Sequence, residues 1–227
     1  MFDYADADRF VRSANIPPRF RGLTFSDLSP YRGEDIGNAM GWRDSVLDGS
    51  VIMADGKPTA GKGLLYIGAP GHGKTTLAVT LAQDLARAVR YNYEAFGIPE
   101  GVTPGGRQVY YVSYPEMLEM AKRQFSDRTT EEEDRVLAGA WGHLSPSQNV
   151  KVLILDDLGR EHRTASGWAE NYFDNLLRKR YDLGLPTVVT SNVPRKEWAD
   201  VYGERMASFA KEAFTTRVII SPEGDRR

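Results

Sequence analysis

The chain has 227 residues, 41% apolar and 26% charged, with a net charge of −2 and no cysteine. That length fills one domain, with a short appendage at most. The lack of cysteine excludes a disulfide scaffold and a thiolate metal site, and the near-neutral charge excludes a chain that grips nucleic acid through bulk basicity. The start, MFDYADADRF, is acidic where a secretory leader would be basic and then apolar. The runs LLYIG and VLIL are too short to cross a bilayer. A cytoplasmic protein with no membrane partner is the expectation.

Residues 1–30 read as an N-terminal arm, followed by a core over 31–227. ANIPPRF holds two prolines, which favour an extended path, and Phe20, Leu23, Phe25 and Leu28 can pack on a body. Residues 34–48 carry a partial helical stripe of Ile36, Met40, Val46 and Leu47. After the loop ADGKPTAGKG an alternation begins. GLLYIG reads as a buried strand, and KTTLAVTLAQDLARAVRYN as a helix with Leu77, Leu81, Leu85 and Val89 on one face. QVYYVS is a second strand, YPEMLEMAKRQF a helix with proline in its first turn, and TTEEEDRVLAGAW a helix opened by Thr130. VKVLILDD is a third strand. SGWAENYFDNLLRKRYDLG is a helix with Trp168, Tyr172, Leu176 and Leu183 near one face and Gly184 at its end. PTVVTSN is a fourth strand, PRKEWADVYG and ERMASFAKEAF are helical, and TTRVIIS is a fifth strand. Five strands with intervening helices indicate an α/β protein, a three-layer sandwich around a mostly parallel sheet. Almost nothing follows the fifth strand, which leaves no room for a C-terminal helical domain.

GAPGHGKT, from Gly68 to Thr75, fits G-x-x-x-x-G-K-T between a strand and a helix, the P-loop pattern. Gly68, Gly71 and Gly73 let backbone wrap closely round phosphate oxygens, and the helix aims its positive end at them. The nucleotide-binding set is therefore Gly68, Gly71, His72, Gly73, Lys74, Thr75 and Thr76. Lys74 is expected at the β and γ phosphates and Thr75 on Mg²⁺. No guanine-reading N-K-x-D motif follows, which favours ATP. VLILDD ends in two acids that need a cation or donors. Asp156 suits the Mg²⁺ shell, and Asp157 can orient and deprotonate water. Asn192, at the end of VVTSN, either positions that water or caps the turn before Pro194, with Thr190 and Ser191 as nearby alternates. Arg205 is an exposed helical arginine or a trans-acting charge for a neighbour's γ phosphate, and Arg217 is its rival.

These stretches, with ANIPPRFRGLTFSDL, LLRKRYDLGLPTVVTSN and YGERMASF, resemble an AAA+ ATPase of the bacterial and phage helicase-loader group, which includes ATPase subunits of transposition systems. The resemblance spans about residues 14–210. It implies the AAA+ type of P-loop fold without a lid domain, with Ile16, Pro17 and Arg19 close to the adenine. It implies Asp157 as the second Walker B acid, Asn192 as sensor 1, and ATP-controlled homo-oligomers on single-stranded DNA that load or remodel a replicative helicase. Two departures stand out. Loaders carry an N-terminal domain for the helicase, whereas few residues here precede ANIP, so another surface or a short arm is expected. Phe209 stands where the family's second arginine would be, which leaves Arg205 as the finger. Lys122–Arg123, Arg178–Lys179–Arg180 and Arg226–Arg227 are either DNA contacts or solvated faces; Tyr91, Tyr93, Tyr110 and Tyr111 either stack on bases or fill core. The competing functions are a transposition helper on duplex DNA, a small-molecule P-loop kinase and a nucleotide-gated binding module.

Overall fold

Apolar runs such as LLYI and VLIL become strands buried on both faces, because each sits between two helical layers. The computed structural model describes residues 5–28, 32–54, 57–58, 61–105, 107–160 and 167–220. Its main sheet contains β1 (Gly63–Ile67), β2 (Val109–Ser113), β3 (Val152–Leu158), β4 (Thr187–Ser191) and β5 (Phe214–Val218). The spatial order is β2-β3-β4-β1-β5, and every pairing is parallel. Leu64 is level with Val188 on one side and Thr215 on the other. The chain leaves β1 for the far strand β2, so a crevice opens at the carboxyl ends of β1, β3 and β4.

Alternate residues of each strand feed the two layers. Leu64, Tyr66, Tyr111, Ile154 and Val188 face α1 (Ala5–Ser13), α2 (Gly33–Leu47) and α3 (Lys74–Ala88). Leu65, Ile67, Val112, Leu155 and Val189 face the other layer. That layer comprises α4 (Tyr114–Phe125), α5 (Glu131–Ala140), α6 (Trp168–Asp182), α7 (Trp198–Tyr202) and α8 (Glu204–Ala213). Thr130 opens α5 through a reciprocal capping box with Glu133, as its position before an acidic turn suggests. Among the described residues no helix is long and apolar enough to cross a membrane.

The arm differs from an extended path. It holds a helix, α1, and a 3₁₀ turn at Pro18–Phe20. Phe10, Ala14 and Ile16 are buried with α3, and Phe20, Phe25 and Leu28 pack at the margin of the same cluster. The Tyr111 amide donates to Ala14 O at 2.9 Å, and Asn15 Nδ2 donates to Tyr111 O at 2.9 Å. The arm thereby covers the β2 edge of the sheet, which would otherwise expose unpaired backbone groups.

The stripe of α6 is rotated from the expected one. Its buried residues are Ala169, Phe173, Leu176, Leu177 and Arg180, whereas Leu183 is 44% exposed. Arg180 corrects the reading of Arg178–Lys179–Arg180 as one basic patch for DNA. Its side chain is fully buried and donates to Thr187 Oγ1 and to the carbonyls of Ala140, Val150, Lys151 and Pro186. Ala140 O is a terminal carbonyl of α5, so the guanidinium also caps that helix. Burial pushes its pKa down, to about 9.

The other basic and aromatic candidates divide. Lys122 pairs with Glu119, and Arg123 with Glu133. Arg178 pairs with Asp174 at 2.8 Å and lies over the Phe209 ring. Arg226–Arg227 lie outside the described residues. Tyr110 and Tyr111 are buried and cannot stack on bases; Tyr91 is 72% exposed beneath Arg90.

Candidate nucleotide site

The loop between β1 and α3 turns through Gly71 at φ +84° and Gly73 at φ +77°, in the left-handed region that glycine tolerates best. Gly73 is the N-cap of α3 and gives its first-turn amides no side-chain acceptor. Those amides and the helix dipole suit an anion. Lys74, Thr75, Thr76, Asp157, Asn192, Gly71, Gly73 and Arg19 all line one cavity of about 720 Å³. A nucleoside triphosphate fits this chemistry: glycine backbone, helix start and a buried amine on one side, acids opposite.

Lys74 is 5% exposed. Its Nζ donates to Gly68 O at 2.7 Å, Ala69 O at 2.9 Å and Asn192 Oδ1 at 2.7 Å. Burial lowers its pKa, while Asp157 and Asp156 push it back up. Asn192, at the tip of β4, thus touches the P-loop lysine directly.

Asp156 is 2% exposed and is ringed by hydroxyls. Thr75 Oγ1 donates at 3.0 Å, Tyr111 Oη at 2.7 Å and Thr190 Oγ1 at 2.6 Å. Burial, and then the Asp156 charge, raise the Tyr111 pKa, so its proton stays on the phenol. Thr190 Oγ1 also accepts from the Asp157 amide at 3.0 Å. One hydroxyl therefore fixes both acids relative to β4. Ser191 Oγ donates to Leu158 O at 3.1 Å and ties the strand tips together again. Asp157 itself stands at φ +61°, inside an irregularity that shifts the register of β3 against β4 between Leu155 and Leu158. No cluster of three or more His, Asp or Glu side chains suited to a metal occurs among the described residues. The fitting cation is one that takes Thr75 and Asp156 and completes its shell with phosphate oxygens and water, which is how Mg²⁺ binds.

Several sequence expectations change. The Ile16 side chain is 3% exposed in the core and is not among the cavity-lining residues; Arg19 is, with Phe20. The His72 ring does not line the cavity either: Nδ1 lies 3.2 Å from Ile219 O. Gly68 is explained by packing. A Cβ there would lie 2.2 Å from Ile219 O, so the residue is small to let the chain after β5 pass. Gly68→Ala is expected to lower unfolding free energy by about 2 kcal/mol, measured by denaturant titration. Arg205 is exposed on α8 and does not reach this cavity in its own chain; its carbonyl accepts from Arg178 Nη2. Arg217 bonds Asn38 Oδ1 at 2.8 Å and is likewise absent from the cavity lining.

Sequence reasoning missed Tyr111 and Arg32, among others. Tyr111 was indistinguishable from a core residue in QVYYVS. Arg32 is 7% exposed, donates to His72 O, and would lie 2.8 Å from a Cβ at Gly73. It braces the P-loop from α2, and nothing in its local sequence marks it.

A P-loop fused to a parallel sheet, with paired acids on the tip of β3, two strands from β1, defines an α/β P-loop nucleotide-binding protein. Residues 59–218 match the IstB-like ATP binding protein family. The chain belongs to that family. Among curated proteins nothing matches it. It is similar in structure to the DnaC helicase loader, with TM-score 0.57 and 22% identity over 90% of this chain and 100% of that one. It is also similar to DnaI, with TM-score 0.58 and 22% identity over 91% and 95%. The replication initiator DnaA bound to AMPPCP and single-stranded DNA gives TM-score 0.58 and 14% identity over 90% of this chain and 51% of that one. These likenesses establish a shared fold.

Proposed function

We propose that this protein hydrolyses ATP to ADP and phosphate, and that the nucleotide controls its assembly on single-stranded DNA next to a replicative helicase. The observation that carries the reading is the meeting of Lys74, Asn192, Thr75 and Asp156 at the ends of three strands. Backbone amides at the start of α3 and the Lys74 ammonium bind the phosphates. Thr75 and Asp156 hold Mg²⁺, which supplies positive charge to the phosphate oxygens. Asp157 accepts a proton from the attacking water, and Asn192 orients it beside Lys74. Arg205, exposed and outside its own cavity, serves a neighbouring copy in trans.

The DNA-facing part of the reading rests on the α4–α5–α6 side. Trp141, Trp168, Tyr172 and Lys179 line a cavity of about 530 Å³, and Lys122 lies 5.9 Å from the Trp168 ring. Aromatic faces beside cations are what single strands bind. The helicase partner is proposed from the resemblance to helicase loaders, and the adenine-side role of Arg19 from its place in the lining of the nucleotide cavity.

The test is equilibrium binding of ATP, phosphate release, and particle mass, each with and without a single-stranded oligonucleotide. ATP-dependent oligomers and DNA-stimulated turnover are expected. Lys74→Met is expected to weaken ATP binding about 10- to 100-fold by removing a charged hydrogen-bond donor. If DNA alters neither turnover nor assembly, the replication role fails. Stimulation by duplex rather than single-stranded DNA transfers the reading to a transposition helper, and a phosphorylated metabolite in place of free phosphate to a kinase.

A further inference from the structure

Arg160 lines the nucleotide cavity together with Lys74, Asp157 and Asn192. No pattern in the sequence singles it out. Its position is fixed by a tight turn off β3. The Arg160 amide donates to Asp157 O at 3.2 Å, across Leu158 and Gly159. Gly159 has φ +98°, and a Cβ there would lie 2.6 Å from Val193 Cγ2. Leu158 O is held by Ser191. The backbone under Arg160 therefore has little freedom, while its side chain is 66% exposed.

That side chain reaches back to the acid that we assign as the base. Arg160 Nη1 lies 3.0 Å from Asp157 Oδ2, and the Asp157 side chain is 30% exposed. At such exposure an ion pair stabilises by about 1 kcal/mol or less, so it separates readily. A phosphoryl group with two or more anionic oxygens accepts a guanidinium fork better than a carboxylate held through one nitrogen.

We propose that Arg160 reads the terminal phosphate of the nucleotide in its own chain, leaving Asp157 for that phosphate. The idea deepens the ATP-hydrolysis reading and rests on it. A diphosphate lacks the terminal group, so Arg160 stays on Asp157. A triphosphate draws the guanidinium away, and the carboxylate oxygen becomes available to a water proton. Recognition of the third phosphate and release of the base are then one event, and Arg160 is a specificity-determining residue for ATP over ADP. Its contribution is separate from that of Arg205, which lies outside this cavity.

Calorimetric titration with AMPPCP and with ADP tests this on the full chain, comparing wild type, Arg160→Ala, Arg160→Gln and Arg160→Lys. Arg160→Ala and Arg160→Gln should lose about tenfold or more in AMPPCP affinity and change ADP affinity less than twofold. Arg160→Lys should recover part of the preference. Equal losses for the two nucleotides, or no loss, overturn the proposal while leaving ATP binding intact. A wild-type protein that binds neither nucleotide overturns the hydrolysis reading itself, and this inference with it. Arg160→Gln keeps most of the side-chain length, so a defect confined to Arg160→Ala would mark lost packing and also count against the proposal.

Discussion

Asp157→Asn is expected to keep ATP binding and to lower phosphate release by about three orders of magnitude, the scale of losing a positioned base. The geometry makes asparagine the informative replacement. Asp157 sits at φ +61°, a conformation that asparagine tolerates and most side chains do not. The hydrogen bond to Thr190 Oγ1 is donated by the backbone amide and survives the change. Asp156 keeps its three hydroxyl donors, so the cation site stays intact. Loss of turnover with retained affinity therefore isolates proton transfer. Single-turnover phosphate release and equilibrium titration make the measurement. Turnover within a few-fold of wild type would remove Asp157 from the chemistry and favour a nucleotide-gated binding module.

The second large effect concerns stability. Arg180→Met is expected to destabilise the fold by about 4 kcal/mol, in the range of broken buried networks. The substitution removes the donors to Thr187 Oγ1 and to four carbonyls at once. Those acceptors come from the end of α5, the approach to β3 and the approach to β4, so the loss loosens three elements together. For a chain of this size the melting temperature should fall by about 10 °C, read by circular dichroism. Lysine should not restore it, because one ammonium cannot reach five acceptors in a plane. A shift of less than about 2 °C would show that water replaces the guanidinium without penalty.

The strands, the P-loop and the paired acids were legible because each is written locally. Four largely apolar runs, a fifth richer in Thr and Arg, a glycine pattern and a DD step need no knowledge of distant contacts. Asn192 was legible as one of several polar residues at a strand tip; its bond to Lys74 singles it out. What local sequence could not show was direction. Arg178 and Arg180 look alike in LLRKRYDLG, yet two residues on a helix differ by about 200°, which turns one to solvent and the other into the core. Ile16 and Arg19 fail the same way: the family resemblance marked the segment but not which side chain faces α3 and which the cavity. Tyr111 and Arg32 act on the site from elements far away in the chain, so their roles exist only after folding.

The strand order has a consequence for how the protein is made. β1 carries the P-loop, yet both of its neighbours, β4 and β5, are synthesised roughly a hundred residues or more later. Ile219 closes the assembly: its amide donates to Ile67 O at 2.7 Å, and its carbonyl passes over Gly68. A nascent chain that has exposed its glycine loop still lacks the backbone that shapes it. Competence to take up nucleotide thus waits until β4 and β5 have been made, and fragments stopped before β4 should be blind to ATP even with the whole P-loop sequence present.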